Sequence, residues 1–155
     1  MPPKALNVLR VFVLAAVLTA CSPAAQSNQL DANLQKWQSQ EIAHYKMKVG
    51  IRCFCPFGSQ MPVSVEVRDG QLVSVVDNAG NPVSEGDPIL EPENARLLTV
   101  EGLFESARKA MDNADNTTIE YDPDLGYPLS LSIDWWKDTG DDNEGATVTD
   151  FQPLP

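Results

Sequence analysis

Two cysteines one residue apart, Cys53 and Cys55, are the side chains of this sequence best placed to do chemistry. A thiol pair can close a bridge, exchange electrons or hold a soft metal. In a regular strand, residues two apart lie about 6.6 to 6.8 Å from one another, at the outer edge of the Cα window for a disulfide. A bridge therefore needs a bend, which Pro56 and Gly58 supply by ending the strand there. So small a loop gains only about 1.6 kcal/mol of chain entropy. A structural bridge is the expectation, and redox exchange, soft-metal binding and a buried reduced pair stay open beside it. Met47 and Met61 do not extend a metal set, because both share the apolar parity of their strands.

A second cluster, Asp138, Asp141, Asp142 and Glu144, has the hard oxygen donors that calcium prefers. Its spacing is not that of an EF-hand. A loop starting at Asp122 puts Gly126 fifth and Ile133 twelfth, and one starting at Asp138 puts Gly140 third and Thr149 twelfth, where a bidentate Glu is required. A solvated acidic loop is the simpler reading, with an irregular cation site as the alternative. His44, the sole imidazole, falls on the polar parity of a strand and reads as a surface residue. It has no nucleophile elbow, Walker loop or His-containing metal motif to join. No catalytic residue and no cofactor are assigned, and the expected class is a non-enzymatic binding or envelope-associated accessory module.

Lys4 and Arg10 precede an apolar run, Val11 to Leu18, that is too short to span a bilayer as a helix. Residues 1–20 therefore read as a signal peptide. The run ends in Leu18-Thr19-Ala20-Cys21, which resembles the lipobox of bacterial lipoproteins. That resemblance implies cleavage before Cys21, leaving 135 of the 155 residues, and acyl chains on the new N-terminal Cys21. Each buried methylene contributes about 0.8 kcal/mol, so several chains anchor stably where one would be marginal. In lipoproteins of this kind Ser rather than Asp follows the lipidated Cys of outer-membrane members, so the resemblance, with Ser22, implies the periplasmic face of the outer membrane. In that oxidising compartment Cys53 and Cys55 are the two thiols left over, which strengthens the disulfide expectation.

The 155 residues carry a net charge of -11, with 43% apolar and 21% charged residues, a composition that folds as one domain. Nucleic acid is excluded as a partner for want of clustered Lys and Arg. Without Lys4 and Arg10 the balance is 9 basic against 22 acidic residues, or -13. Asp112 to Pro155 holds 11 of those acids and one base, Lys137. Residues 21–29, the lipidated Cys and the polar run SPAAQSNQ, read as a tether, and residues 30–155 as a single domain. The partners expected are the membrane, through the lipid, and a protein or small molecule of unidentified kind.

The elements that must position these groups follow from periodicity. Leu30, Leu34, Trp37 and Ile42 mark an amphipathic helix over about 30–41. Ala43 to Cys55 alternates as a strand with a basic ladder, Lys46, Lys48 and Arg52, on its polar face, which can pair with acids on a neighbouring strand or, as the simpler expectation, face solvent. Val63, Val65 and Val67 lead to a tight turn at Asp69-Gly70, placing Val67 opposite Leu72, Val65 opposite Ser74 and Val63 opposite Val76. Three prolines make residues 78–98 an irregular connection, with Ile89-Leu90 either a core anchor or an exposed contact. Thr99 caps a helix with the stripe Val100, Leu103, Phe104, Ala107 and Met111. Strands follow at Thr117–Tyr121, Leu129–Trp135 and Ala146–Phe151. The order α-β-β-β-α-β-β-β predicts an α+β fold, with an antiparallel sheet of about six strands and two helices on one face. Of Trp135 and Trp136, alternation sends one indole inward and the other outward.

Taken together, Trp37, Tyr45, Cys53-Phe54-Cys55, the Val65 to Gly70 hairpin and the run Tyr121-Asp122-Pro123-Asp124-Leu125-Gly126-Tyr127-Pro128 resemble an uncharacterised family of small bacterial lipoproteins. The family is a domain of unknown function with C-x-C and Y-D-x-x-x-G-Y-P motifs. It implies the fold and location above without an activity. The surface around Tyr121, Asp122, Gly126, Tyr127 and Pro128, with Asp134 and Trp136, is where a partner is expected.

Overall fold

A computed structural model of the chain describes residues 23–155; residues 1–20, where a signal peptide is expected, and Cys21 and Ser22 lie outside the described residues. Helix α1 (Pro23–Gln38) is followed by strands β1 (His44–Arg52), β2 (Val63–Arg68) and β3 (Gln71–Val76). A short helix α2 (Pro92–Ala95) and the long α3 (Val100–Asn113) lead to β4 (Asn116–Tyr121), β5 (Pro128–Asp134) and β6 (Asn143–Pro153). All neighbouring strands are antiparallel, in the order β3-β2-β1-β6-β5-β4. Two meanders therefore meet at a central seam between the first strand and the last. The fold is α+β with a six-stranded sheet, as the periodicity predicts, plus one extra short helix.

Alternation decides the faces. Tyr45, Met47, Val49 and Ile51 on β1, and Val63, Val65 and Val67 on β2, are buried under the helices with Leu131, Ile133, Ala146 and Val148. Each aliphatic side chain so buried contributes about 1.5 to 3 kcal/mol. Helix α3 starts where expected, with the Thr99 hydroxyl accepting the Gly102 amide at 3.0 Å. Leu103, Phe104, Ala107 and Ala110 face the core. A Cβ at Gly102 would fall 1.9 Å from the Arg96 carbonyl oxygen, so only glycine allows the preceding turn to pack there. Arg108 on α3 pairs with Asp31 on α1 at 2.6 Å.

The join between α1, β1 and α3 is polar at its centre. Glu101 accepts the Trp37 indole N–H at 3.2 Å and the Tyr45 hydroxyl at 3.0 Å. The Val100 amide, one of the unpaired donors at the start of α3, donates to the same hydroxyl at 2.9 Å. Burial, reinforced by the Glu101 charge, pushes the Tyr45 phenol far above its ordinary value. Around this join, Trp37 makes edge contacts with Tyr45, Tyr127 and Phe151 at 5.7, 6.1 and 5.7 Å.

Four expectations need correction. Residues 23–29 are not a tether, because α1 begins at Pro23. Proline suits the first helical turn and Ala24, Ala25 and Gln26 are good helix formers, while Gln26 also donates to the Thr117 carbonyl on β4. In the β2–β3 hairpin Val67 does face Leu72, but a bulge after Glu66 moves Val65 opposite Val75 and Ser64 opposite Val76. The turn itself has the left-handed φ values expected, 51° at Asp69 and 71° at Gly70. The basic ladder is paired rather than simply solvated: Lys46 meets Glu66 at 3.1 Å and Lys48 meets Asp150 at 2.8 Å. Finally, the proline-rich connection folds into short turns at Pro88–Leu90 and Arg96–Leu98 flanking α2, with Ile89, Leu97 and Leu98 fully buried as core anchors.

Candidate functional site

Strand β1 stops at Arg52, and the chain bends so that the Cα atoms of Cys53 and Cys55 approach to 5.2 Å with their sulfurs joined in a disulfide. Leaving the strand brings the pair inside the bridging window that a regular strand would just miss. Both half-cystines pack against the margin of the core. Phe54 between them points away from it, 92% exposed. A cleft of about 290 Å³ separates this loop from Arg96, Trp135, Asp142 and Glu144.

The acidic cluster does not assemble as a cation site. Glu144, Ala146 and Val148 of β6 face the helices, which turns Glu144 to the Arg96 guanidinium at 3.0 Å and the Trp135 indole N–H at 3.1 Å. Arg96 is itself held by the Ser106 hydroxyl at 2.7 Å and the Glu93 carbonyl at 2.8 Å. Asp142 instead accepts the Trp136 amide at 2.6 Å, closing the β5–β6 loop in which Asp138 takes a left-handed φ of 65°. Among the described residues no three His, Cys, Asp or Glu side chains come together around a metal position. Asp134, at the end of β5, stands opposite Asn116 and Asn143, and its Oδ1 is buried without a hydrogen-bond partner among the described residues.

The Tyr121 to Pro128 run is a docking turn rather than an open surface. Asp122 accepts the amides of Asp124 and Leu125 at 2.9 and 2.7 Å, and its own amide donates to the Tyr127 carbonyl at 2.8 Å. Gly126 has φ of 85°, and a Cβ there would come 2.8 Å from the Asn33 carbonyl oxygen of α1. Lys36 donates to the Pro123 carbonyl from the same helix. Tyr127 and Pro128 are buried, and Tyr127 stacks on Phe151 at 4.5 Å. Burial, aided by Asp122, raises the Tyr127 phenol to about 12, and burial does the same for Tyr121. The motif thus serves to seat α1 on the sheet.

His44 lies on the open face of the sheet with Nε2 2.9 Å from Glu66. Hydrogen bonds from His44 and Lys46 hold the Glu66 carboxyl below its usual range. Among the described residues its ring nitrogens meet Glu66, Arg68 and the Pro155 carbonyl.

Trp136 is the predicted partner residue that does remain on the surface, 67% exposed, while Trp135 turns inward beneath Lys109. Phe54 and Arg96 escaped the sequence reading of the site. An aromatic on the polar parity between two cysteines was the available signal for Phe54; Arg96 gave none. Register places Phe54 and Trp136 at one end of the sheet, because Arg52, Gly145, Ser132 and Thr118 form one row across four strands. The Cys53 loop and the β5–β6 loop both extend from that row in the same direction.

No helix of the described residues is long and apolar enough to cross a membrane. No curated protein and no solved structure matches the chain. The model of DUF6174, a family of unknown function, matches residues 29–153, nearly the whole described domain, and the chain belongs to that family.

Proposed function

We propose that this protein is a lipid-anchored bacterial envelope lipoprotein whose domain acts as a non-enzymatic binding or accessory module. The observation that carries the reading is the lipobox-like Leu18-Thr19-Ala20-Cys21 followed, two residues later, by the first helix of the domain. The groups that could do chemistry are occupied in holding the fold: His44 by Glu66, Glu144 by Arg96, and Cys53 by Cys55. The Ser22 that follows the acylated residue favours the periplasmic face of the outer membrane. Mass spectrometry of the N-terminal peptide from the membrane fraction tests the proposal. Acylated Cys21 is the expected species, and Cys21→Ala should release the protein in unprocessed or soluble form. An N terminus within residues 1–20, or an unmodified Cys21 in wild type, refutes the anchoring.

A further inference from the structure

The end of the sheet that carries Phe54 and Trp136 is also the end at which the chain enters the domain. Gln26 donates to the Thr117 carbonyl at 3.4 Å, next to the start of β4. Helix α1 then runs along β4 toward its far end, where Asn33 and Lys36 touch Gly126 in the turn after Tyr121. Pro23 therefore stands at or beyond the level of Asn116, the level from which the Cys53 and β5–β6 loops project. Two residues of chain from Cys21 to Pro23 reach at most about 7 Å. Lipid on Cys21 would then hold this end, and no other, against the bilayer.

That end is also unusual in its surface. Phe54, Trp136 and Val73 are the large apolar side chains left exposed among the described residues, and the first two sit there. The disulfide fixes the loop that presents Phe54, and the Asp142 contact to the Trp136 amide fixes the loop that presents Trp136. Aromatic rings presented on rigid loops beside a lipid attachment point suit the headgroup zone, where Trp is enriched. Resting on the anchoring read from Cys21, the geometry points to a membrane-contact surface in which Phe54 and Trp136 seat in the headgroup region of the anchoring bilayer. Asp138, Asp141 and Asp142 outnumber the one cation, Lys137, in the loop that carries Trp136, so the surface favours zwitterionic over anionic lipid.

The test uses the lipidated protein reconstituted in phosphatidylethanolamine-phosphatidylcholine vesicles with brominated acyl chains. Tryptophan emission should be quenched relative to unbrominated vesicles, and Trp136→Phe should remove that quenching while Trp37 and Trp135 still emit. Phe54→Ser should reduce it with the far-UV circular dichroism unchanged. Replacing part of the lipid with phosphatidylglycerol at low salt should weaken it, and added salt should restore it. Vesicle flotation and the mass of the Cys21 peptide are read on the same samples. Protein that floats with acylated Cys21 but shows Trp136 as open to aqueous acrylamide as in detergent overturns the membrane contact and leaves anchoring intact. Protein without lipid on Cys21 that fails to float overturns both.

Discussion

Tyr45→Phe probes the polar join beneath α1 with little change in shape. The ring keeps its neighbours, Trp37 at 5.7 Å and Phe151 at 5.3 Å, so only the hydroxyl is lost. With it go a hydrogen bond to the Glu101 carboxylate and the acceptor for the buried Val100 amide. A hydrogen bond to a charged group contributes about 1.5 to 3 kcal/mol, and a buried donor left without a partner costs about 1 to 3 kcal/mol. Glu101 is accessible to solvent, which keeps its share at the lower end. The expected destabilisation is about 2 to 4 kcal/mol. With a urea m-value of about 2 kcal/mol/M, the unfolding midpoint should fall by about 1 to 2 M. Glu101→Gln retains an acceptor without the charge, and combining the two variants should give a coupling energy of about 1 kcal/mol or more. A Tyr45→Phe midpoint within about 0.2 M of wild type, at unchanged slope, would show that the hydroxyl bridge does not hold α3 to β1.

Three further outcomes are expected. Gly126→Ala forces a side chain into a left-handed φ and against the Asn33 carbonyl; it should cost about 2 kcal/mol or more in thermal or urea unfolding and shift the amide signals of Asn33 to Lys36, and a neutral result would place the turn away from α1. All three tyrosines have phenols raised by burial, so the stability they contribute is complete below about pH 10 and falls above it, through about pH 12 for Tyr121 and Tyr127 and higher still for Tyr45; tyrosinate absorbance should rise together with loss of circular dichroism, and three ordinary titrations in a folded protein would contradict this. Mass spectrometry with and without reductant should find Cys53 and Cys55 bridged in protein from the envelope, and Cys53→Ser with Cys55→Ser should cost about 1.6 kcal/mol; ready reduction by mild dithiol, or copper bound to the pair, would instead assign it a redox or metal role.

Much of the fold is legible because its strands bury one face. Alternation along Tyr45 to Ile51 names the core side of β1, and the Thr99 cap with its apolar stripe names α3. Residues 23–29 were opaque for the opposite reason: a helix lying along an edge strand needs only a narrow contact there, so its polar residues show no period. The bulge after Glu66 left no trace because both faces of β3 carry valines. At the site, composition misled. Carboxylates close in sequence, Asp142 and Glu144, are taken by different partners, a loop amide for the first and the Arg96 guanidinium for the second. The Tyr121 to Pro128 run was conspicuous because a glycine and two aromatics must fit against a helix, and packing demands of that kind look the same in sequence as a binding site.

The central seam of the sheet pairs residues 44–52 with residues 143–153, the two strands furthest apart along the chain. For a polypeptide made from its N terminus, that seam closes last. Until β6 arrives, β1–β3 and β4–β5 each present a bare backbone edge, and neither meander has a neighbour to complete it. A chain truncated before residue 143 would consequently be left as two unsealed half-sheets, prone to pair with other copies, rather than as a smaller version of the same domain.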